Sequence, residues 1–299
     1  MNRSAFILLT AIVIGASGLT ASAGAPLQPA QEESAFAADP VALVRRAAVN
    51  ELRAVDDRIT QGPPPVRYVF FKQDEKGSTV KEVVQTRDGS VARLVAINGK
   101  ALTVEQENLE ATRLQRLLDQ PDLQERRKRR EKEDAERAKK IMHVMPDAFL
   151  YTYAGMVPGP NGPAVRLSFK PKPGFDPPDQ ETRVAVGIQG ELWIDQAQER
   201  MVRLDAHLFQ DVDFGWGILG RLYKGGSIRI ENADVGNHNW QLQRMKLDLT
   251  GKALMVKTLT FRITENGTGY ELVPRELSYK DGIRLLQSKA PTAGAVAGR

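Results

Sequence analysis

At 299 residues with 41% hydrophobic side chains, the chain has material for one large domain or two smaller ones and for a sizeable core. The 42 Lys and Arg against 37 Asp and Glu leave a formal charge of +5, an excess too small to imply a nucleic-acid ligand by itself. Cysteine is absent, which excludes disulfides, thiolate nucleophiles, Cys-based metal sites and a lipid-modified N-terminal Cys.

Residues 1–23 read as a signal peptide. Arg3 gives a positive start, Ala5 to Ile14 is a short apolar core, and Ala21-Ser22-Ala23 supplies small residues for cleavage. Gly15 and Gly18 break the apolar run too early for a membrane span. Export to a periplasm is therefore expected, with cleavage after Ala23. Intact-mass measurement of the exported protein should show a chain beginning at Gly24, and one still beginning at Met1 would overturn this. Residues 24–38, rich in Ala, Pro, Gln and Glu, read as a flexible leader. Asp39 followed by Pro40 is a helix start, and Val41, Val44, Ala48 and Leu52 give an amphipathic helix to about Asp56. Gly62-Pro63-Pro64-Pro65 ends it.

Three strands follow at 66–72, 79–86 and 90–97, with turns at Lys76-Gly77, Asp88-Gly89 and Asn98-Gly99. Thr103 with Gln106 has the form of a capping box, and Leu109, Leu114, Leu117 and Leu118 give the next helix an apolar stripe. Pro121 interrupts it, and a second helix is expected over 122–143. The middle of that helix, 124–140, has nine basic and five acidic residues and no large apolar one. Such a run either binds an anionic partner or is a solvated helix held by pairs such as Arg127 with Glu131 and Lys132 with Glu136. The interspersed acids and the expected export favour the solvated helix.

Apolar residues from Ile141 to Tyr153 bring the chain back to a core, and proline-rich connections flank a strand at 164–169. From 188 to 264 short alternating runs are separated by turns, the pattern of an antiparallel meander. Leu192 and Ile194 share one face of the first run. In the next, Val202, Leu204, Ala206 and Leu208 oppose Arg203, Asp205 and His207. Asn266-Gly267-Thr268-Gly269 is expected to end the sheet, 279–286 to form a final helix, and 287–299 to be a disordered tail.

The chemistry-bearing residues are sparse. His143, His207 and His238 are far apart, and no nucleophile elbow or phosphate-binding glycine motif occurs. Asp205, His207, Asp211 and Asp213 are a conceivable divalent-metal set, but a solvated strand face ending in an acidic loop explains them more simply. The sequence therefore points to no catalytic residue, no metal, no cofactor and no enzyme. Its unusual stretch is 212–220, where Phe214, Trp216, Ile218 and Leu219 are spaced by three glycines. It reads either as a plug at the end of the core or as the apolar mouth of a ligand cavity, with Trp193 and Trp240 as further candidates.

The order of helix, early hairpins, Gly190-Glu191-Leu192-Trp193-Ile194-Asp195 and Arg200-Met201-Val202-Arg203-Leu204 resembles the LolA/LolB-like superfamily. The pattern is clearest over 182–263 and extends to 66–97. Gln241 and Leu242 stand where that family usually has Leu-Pro, and the helical insertion at 102–145 is a further departure. The resemblance implies a mainly β (α+β) fold, an antiparallel curved sheet or unclosed barrel with an N-terminal helix on its concave side. One domain, 39–286, is expected. Relatives carry lipoprotein acyl chains or sense envelope stress. The resulting expectation is a non-catalytic periplasmic protein that binds a hydrophobic ligand, a lipid or acyl chain, with membrane or envelope proteins as further partners and no nucleic acid. The alternative is an interaction or stress-sensor module whose concave face is filled by its own helix.

Overall fold

Helix α1 (Pro29–Ala38) occupies the part of the expected flexible leader that the computed structural model describes. That model describes residues 29–62, 64–215, 220–253 and 257–288; the expected signal peptide and most of the expected tail lie outside them. Ala, Glu and Gln are strong helix formers. Phe36 packs on the main core, and the Tyr153 hydroxyl donates to Glu33 at 2.6 Å. Helix α2 (Pro40–Gln61) starts as expected, with Asp39 accepting from the Ala42 amide at 2.9 Å. It runs beyond Asp56, and its buried stripe is Leu43, Val44, Ala47, Ala48, Glu51, Ala54 and Val55.

The first strands are β1 (Val66–Asp74), β2 (Gly77–Thr86), β3 (Gly89–Ile97) and the two-residue β4 (Lys100–Ala101). Helix α3 (Val104–Asp119) carries the full reciprocal capping box between Thr103 and Gln106. Helix α4 (Pro121–Ala148) is 28 residues long. Then come β5 (Phe149–Pro158), β6 (Pro163–Pro171), a 3₁₀ turn at Thr182–Val186, β7 (Ile188–Asp195), β8 (Met201–Leu208), β9 (Val212–Phe214) and β10 (Gly220–Leu222). The chain closes with β11 (Ser227–Asp234), β12 (Trp240–Ala253), β13 (Lys257–Leu272) and α5 (Tyr279–Ser288).

All ladders are antiparallel, and the main path runs β4-β3-β2-β1-β13-β12-β11-β8-β7-β6-β5, with β10 paired to β12 and β9 to β10. The sheet is not closed, because β4 and β5 are its two ends and do not pair with each other. It is the unclosed curved sheet that the sequence implies. The sheet does not end at Asn266-Gly267-Thr268-Gly269, as the sequence reading expects; β13 runs through these residues beside β1. Glycine fits there because the Tyr270 hydroxyl and the Leu242 carbonyl crowd the space a Cβ at Gly267 would need.

The two faces are covered differently. On the inner face, Leu43, Val44 and Ala47 of α2 and Met142, Met145 and Ala148 of α4 bury themselves against Leu167, Leu192, Ile194, Ile228, Ile230, Met245 and Leu247. On the outer face, α3 and α5 place Leu114, Leu117, Ile283 and Leu286 over Val84 and Val91. Burial at roughly 25 cal/mol per Å² makes the inner layer the main source of stability.

Candidate ligand-binding site

Helices α2 and α4 lie side by side over the inner face, joined by Ala54, Val55, Ala135 and Ala138. Short side chains let the helices approach closely, so α4 is anchored although it lacks large apolar residues in its middle. Its polar residues bind the sheet edge. Strand β3 exposes one row of backbone groups, because β4 pairs only with Ala96 and Ile97. Gln124 donates to the Asp88 carbonyl at 3.0 Å, Arg127 donates to the Ser90 carbonyl at 3.2 Å, and Glu131 accepts from the Ser90 amide at 3.3 Å. From α3, Arg113 donates to the Ala92 carbonyl and Glu110 accepts from the Leu94 amide at 2.7 Å. An unpaired strand edge is an invitation to pairing with another chain, and this one is blocked along its length. The expected solvated helix is thus only half right. Arg126, Lys128 and Arg129 are exposed, whereas Gln124, Ala135 and Ala138 are buried.

Gly89 shows how closely α4 approaches. A Cβ there would meet Gln124 Nε2 and Glu131 Oε2, each at 3.2 Å, and its φ of +99° already favours glycine.

Between α4, the end of α2 and strands β1, β2, β12 and β13 lies a cavity of about 480 Å³. Its apolar wall is made by Ile59, Tyr68, Phe70, Leu242, Tyr270 and Ala135. The Tyr68 and Tyr270 rings stack at 4.9 Å, and the Tyr270 hydroxyl donates to the Leu242 carbonyl. Its polar wall includes Arg58, Gln85, Glu131, Gln241 and Glu265. Arg58 reaches Gln85 Oε1 at 3.4 Å, and the Gln85 amide donates to Gln241 Oε1 at 3.3 Å. Burial draws Arg58 below the ordinary arginine value, opposed by the charge of Glu131. Burial pushes the Glu131 carboxyl upward, opposed first by Arg58. The Tyr68 phenol is also pushed upward by burial. The site is therefore amphipathic, with stacked rings beside two desolvated groups of opposite charge, Arg58 and Glu131. A second crevice is wholly apolar, lined by Ile141, Val144, Phe149, Phe169, Ile188 and Leu204 among others, but has room for only about 40 Å³.

Of the residues singled out in the sequence, the described ones do not line this cavity. Phe214 is half-buried against the main core, while Trp216, Ile218 and Leu219 lie outside the described residues. Trp193 is on the outer face, 4.8 Å below the Arg203 guanidinium. Trp240 is 2% exposed and belongs to a small cluster with Ala164, Val202 and Trp193. The bulge between Trp193 and Ile194 displaces Val202 into that cluster, so the alternation expected for β8 begins only after it. Asp205 is held by Arg203 and Arg229, Asp213 by Arg221, and Asp211 accepts from the Lys224 amide. No group of three or more His, Asp or Glu suited to a metal ion occurs among the described residues. The sequence signal for the cavity was the aromatic pair Tyr68 and Phe70 in β1 with Tyr270 in β13. Their proximity depends on pairing across about two hundred positions, which periodicity does not reveal.

No family model matches the chain, and a search of curated proteins finds no match. Among solved structures, the chain is similar to a DUF1329 family protein from Desulfovibrio piger at 12% identity and a TM-score of 0.25. That similarity covers 78% of this chain and 93% of the other.

Proposed function

We propose that the chain is a non-catalytic binding protein of the periplasm whose ligand lies in the cavity between α4 and the sheet. The observation that carries this reading is a cavity of about 480 Å³ walled by stacked tyrosines, Phe70 and Leu242 under a helical cover. That volume falls within the roughly 300–1,000 Å³ of small-molecule sites. The signal-like residues 1–23 and the strand pattern resembling LolA/LolB-like proteins support the compartment and the binding role. The ligand is an amphipathic lipid or acyl compound, because the cavity joins an apolar wall of Ile59, Tyr68, Phe70, Tyr270 and Leu242 to a polar wall that includes Arg58, Glu131, Gln85 and Gln241.

The interaction or sensor module is the second reading. It is favoured by the way α2 and the end of α4 fill the inner face over β6–β8, β11 and β12. Two measurements separate them. Organic extracts of protein purified from a periplasm should contain a co-purifying amphiphile by mass spectrometry. Extracted wild type should also bind a fluorescent fatty acid saturably, and Phe70→Ser should weaken that binding by about tenfold without changing the far-ultraviolet circular dichroism. Absence of saturable binding by folded, extracted wild type would leave the module reading standing.

A further inference from the structure

The charges around the cavity are unevenly matched. Of its acids, Glu265 is paired with Lys72 at 2.7 Å and Asp134 with Arg137 at 2.5 Å. Glu131 accepts from the Ser90 amide and lies in the field of Arg58. Of the basic residues, Arg87 is paired with Glu276 at 3.1 Å. Three cations remain on the α4 wall, Lys128, Arg129 and Lys132, and among the described residues none of them has a carboxylate within ion-pair distance. Glu125 and Glu131 likewise have no ion pair among the described residues; Glu131 is offset by the charge of Arg58, which leaves Glu125 against the three. Three cations against one acid leave a net of two positive charges at the exposed edge of the cavity. Lys132 follows Lys128 by four positions and Arg129 by three, so it neighbours both on the helix surface. The rest of the lining includes the apolar wall of Ile59, Tyr68, Phe70, Tyr270 and Leu242.

From this arrangement we propose that the cavity takes an amphiphile with an anionic head, carboxylate or phosphate, held at Lys128, Arg129 and Lys132. Its apolar part lies against Tyr68, Phe70, Tyr270 and Leu242. The inference rests on the binding reading above and names the class of ligand. A charged head left at the exposed rim keeps part of its hydration and still gains charge-assisted hydrogen bonds, whereas the same head placed deep would lose that hydration and meet Glu131 and Glu265 beside Arg58. The orientation is head outward and chain inward.

The test is isothermal titration of the full chain, extracted free of lipid, with three probes that share one chain: dodecanoate, dodecyl phosphate and dodecanol, each below its micelle-forming concentration. Wild type should bind at least one of the two anions about tenfold more tightly than dodecanol. The tighter of the two anions identifies the head. The Lys128→Gln/Arg129→Gln/Lys132→Gln variant should lose that preference and keep its affinity for dodecanol. All three positions are exposed, so the variant should fold, which unchanged circular dichroism would show. Equal binding of all three probes by wild type, or a preference that survives in the variant, would overturn the anionic head while leaving the cavity as a binding site. Failure of wild type to bind any of them would overturn both.

Discussion

Replacing Arg200 with Ala should lower the stability of the chain by about 3–5 kcal/mol, read from urea unfolding. Glu51 of α2 and Arg200, the residue before β8, are each 6% exposed. The guanidinium donates twice to the carboxylate, Nε to Oε1 and an Nη to Oε2, both at 2.8 Å. Glu51 also accepts from the Met201 amide at 2.9 Å, and the Arg200 guanidinium stands 5.7 Å from the centre of the Trp240 ring. Removing the cation leaves a buried carboxylate that keeps only one backbone donor of these contacts. The expense comes from the orphaned charge rather than from the worth of the pair, so a volume-matched apolar replacement of both, Glu51→Leu/Arg200→Met, should cost far less. A loss below about 1 kcal/mol for Arg200→Ala would show that water reaches the pair and that it contributes little to holding α2.

The same pair explains how the inner helix finds its place. The turn between β7 and β8 is stiff: Asp195 accepts from the Gln198 amide at 2.7 Å, and Glu199 adopts a φ of +47°. This turn offers Glu199 to Arg46 and the carbonyls of Gln198 and Glu199 to Asn50. The sequence marked the turn as a polar connection between two strands. Its role as a dock for a helix some 150 residues earlier was not legible, because no local pattern distinguishes a solvated carboxylate from one that receives a distant arginine.

Elsewhere the local signals held. Asp39-Pro40, the Thr103 to Gln106 box and the glycine turns of the first hairpins mark element ends that the structure reproduces within a few residues. Those ends depend on neighbours three or four positions away, and such chemistry is written in the chain. The sheet order is another matter. The pairing of β1 with β13 joins the two ends of the domain, and it is this pairing that creates the aromatic floor of the cavity. The charged helix was misjudged for a related reason. Ala135 and Ala138 contribute little to any hydrophobic pattern, yet they are the contact surface with α2. Arg127 and Glu131 read as a solvated pair, and they serve instead as partners for the backbone of β3.

Substituting Gly190 with Val should destabilise the chain by more than the roughly 1–3 kcal/mol usual for overpacking. Gly190 lies in β7, paired with Phe169 of β6 on one side and Ala206 of β8 on the other. A Cβ there would press into the Asp205 carbonyl oxygen and meet the Ala206 Cα at 2.8 Å. In a flat ladder the side chains of paired residues stand clear of each other's backbone, so this crowding marks a place where β7 and β8 bend sharply toward the inner face. The obstruction is backbone, so no rotamer change relieves it. Val must push the strands apart, and that would flatten the sheet where Leu192, Ile194 and Ala206 receive α2 and α4. Gln189→Val, one residue away on the outer face, keeps the strand propensity and should change stability by only about 0.5 kcal/mol. Thermal unfolding of the two variants side by side reads the difference. Equal melting temperatures would mean that the sheet accommodates a side chain at Gly190, and that its curvature there arises from the helices packed upon it instead.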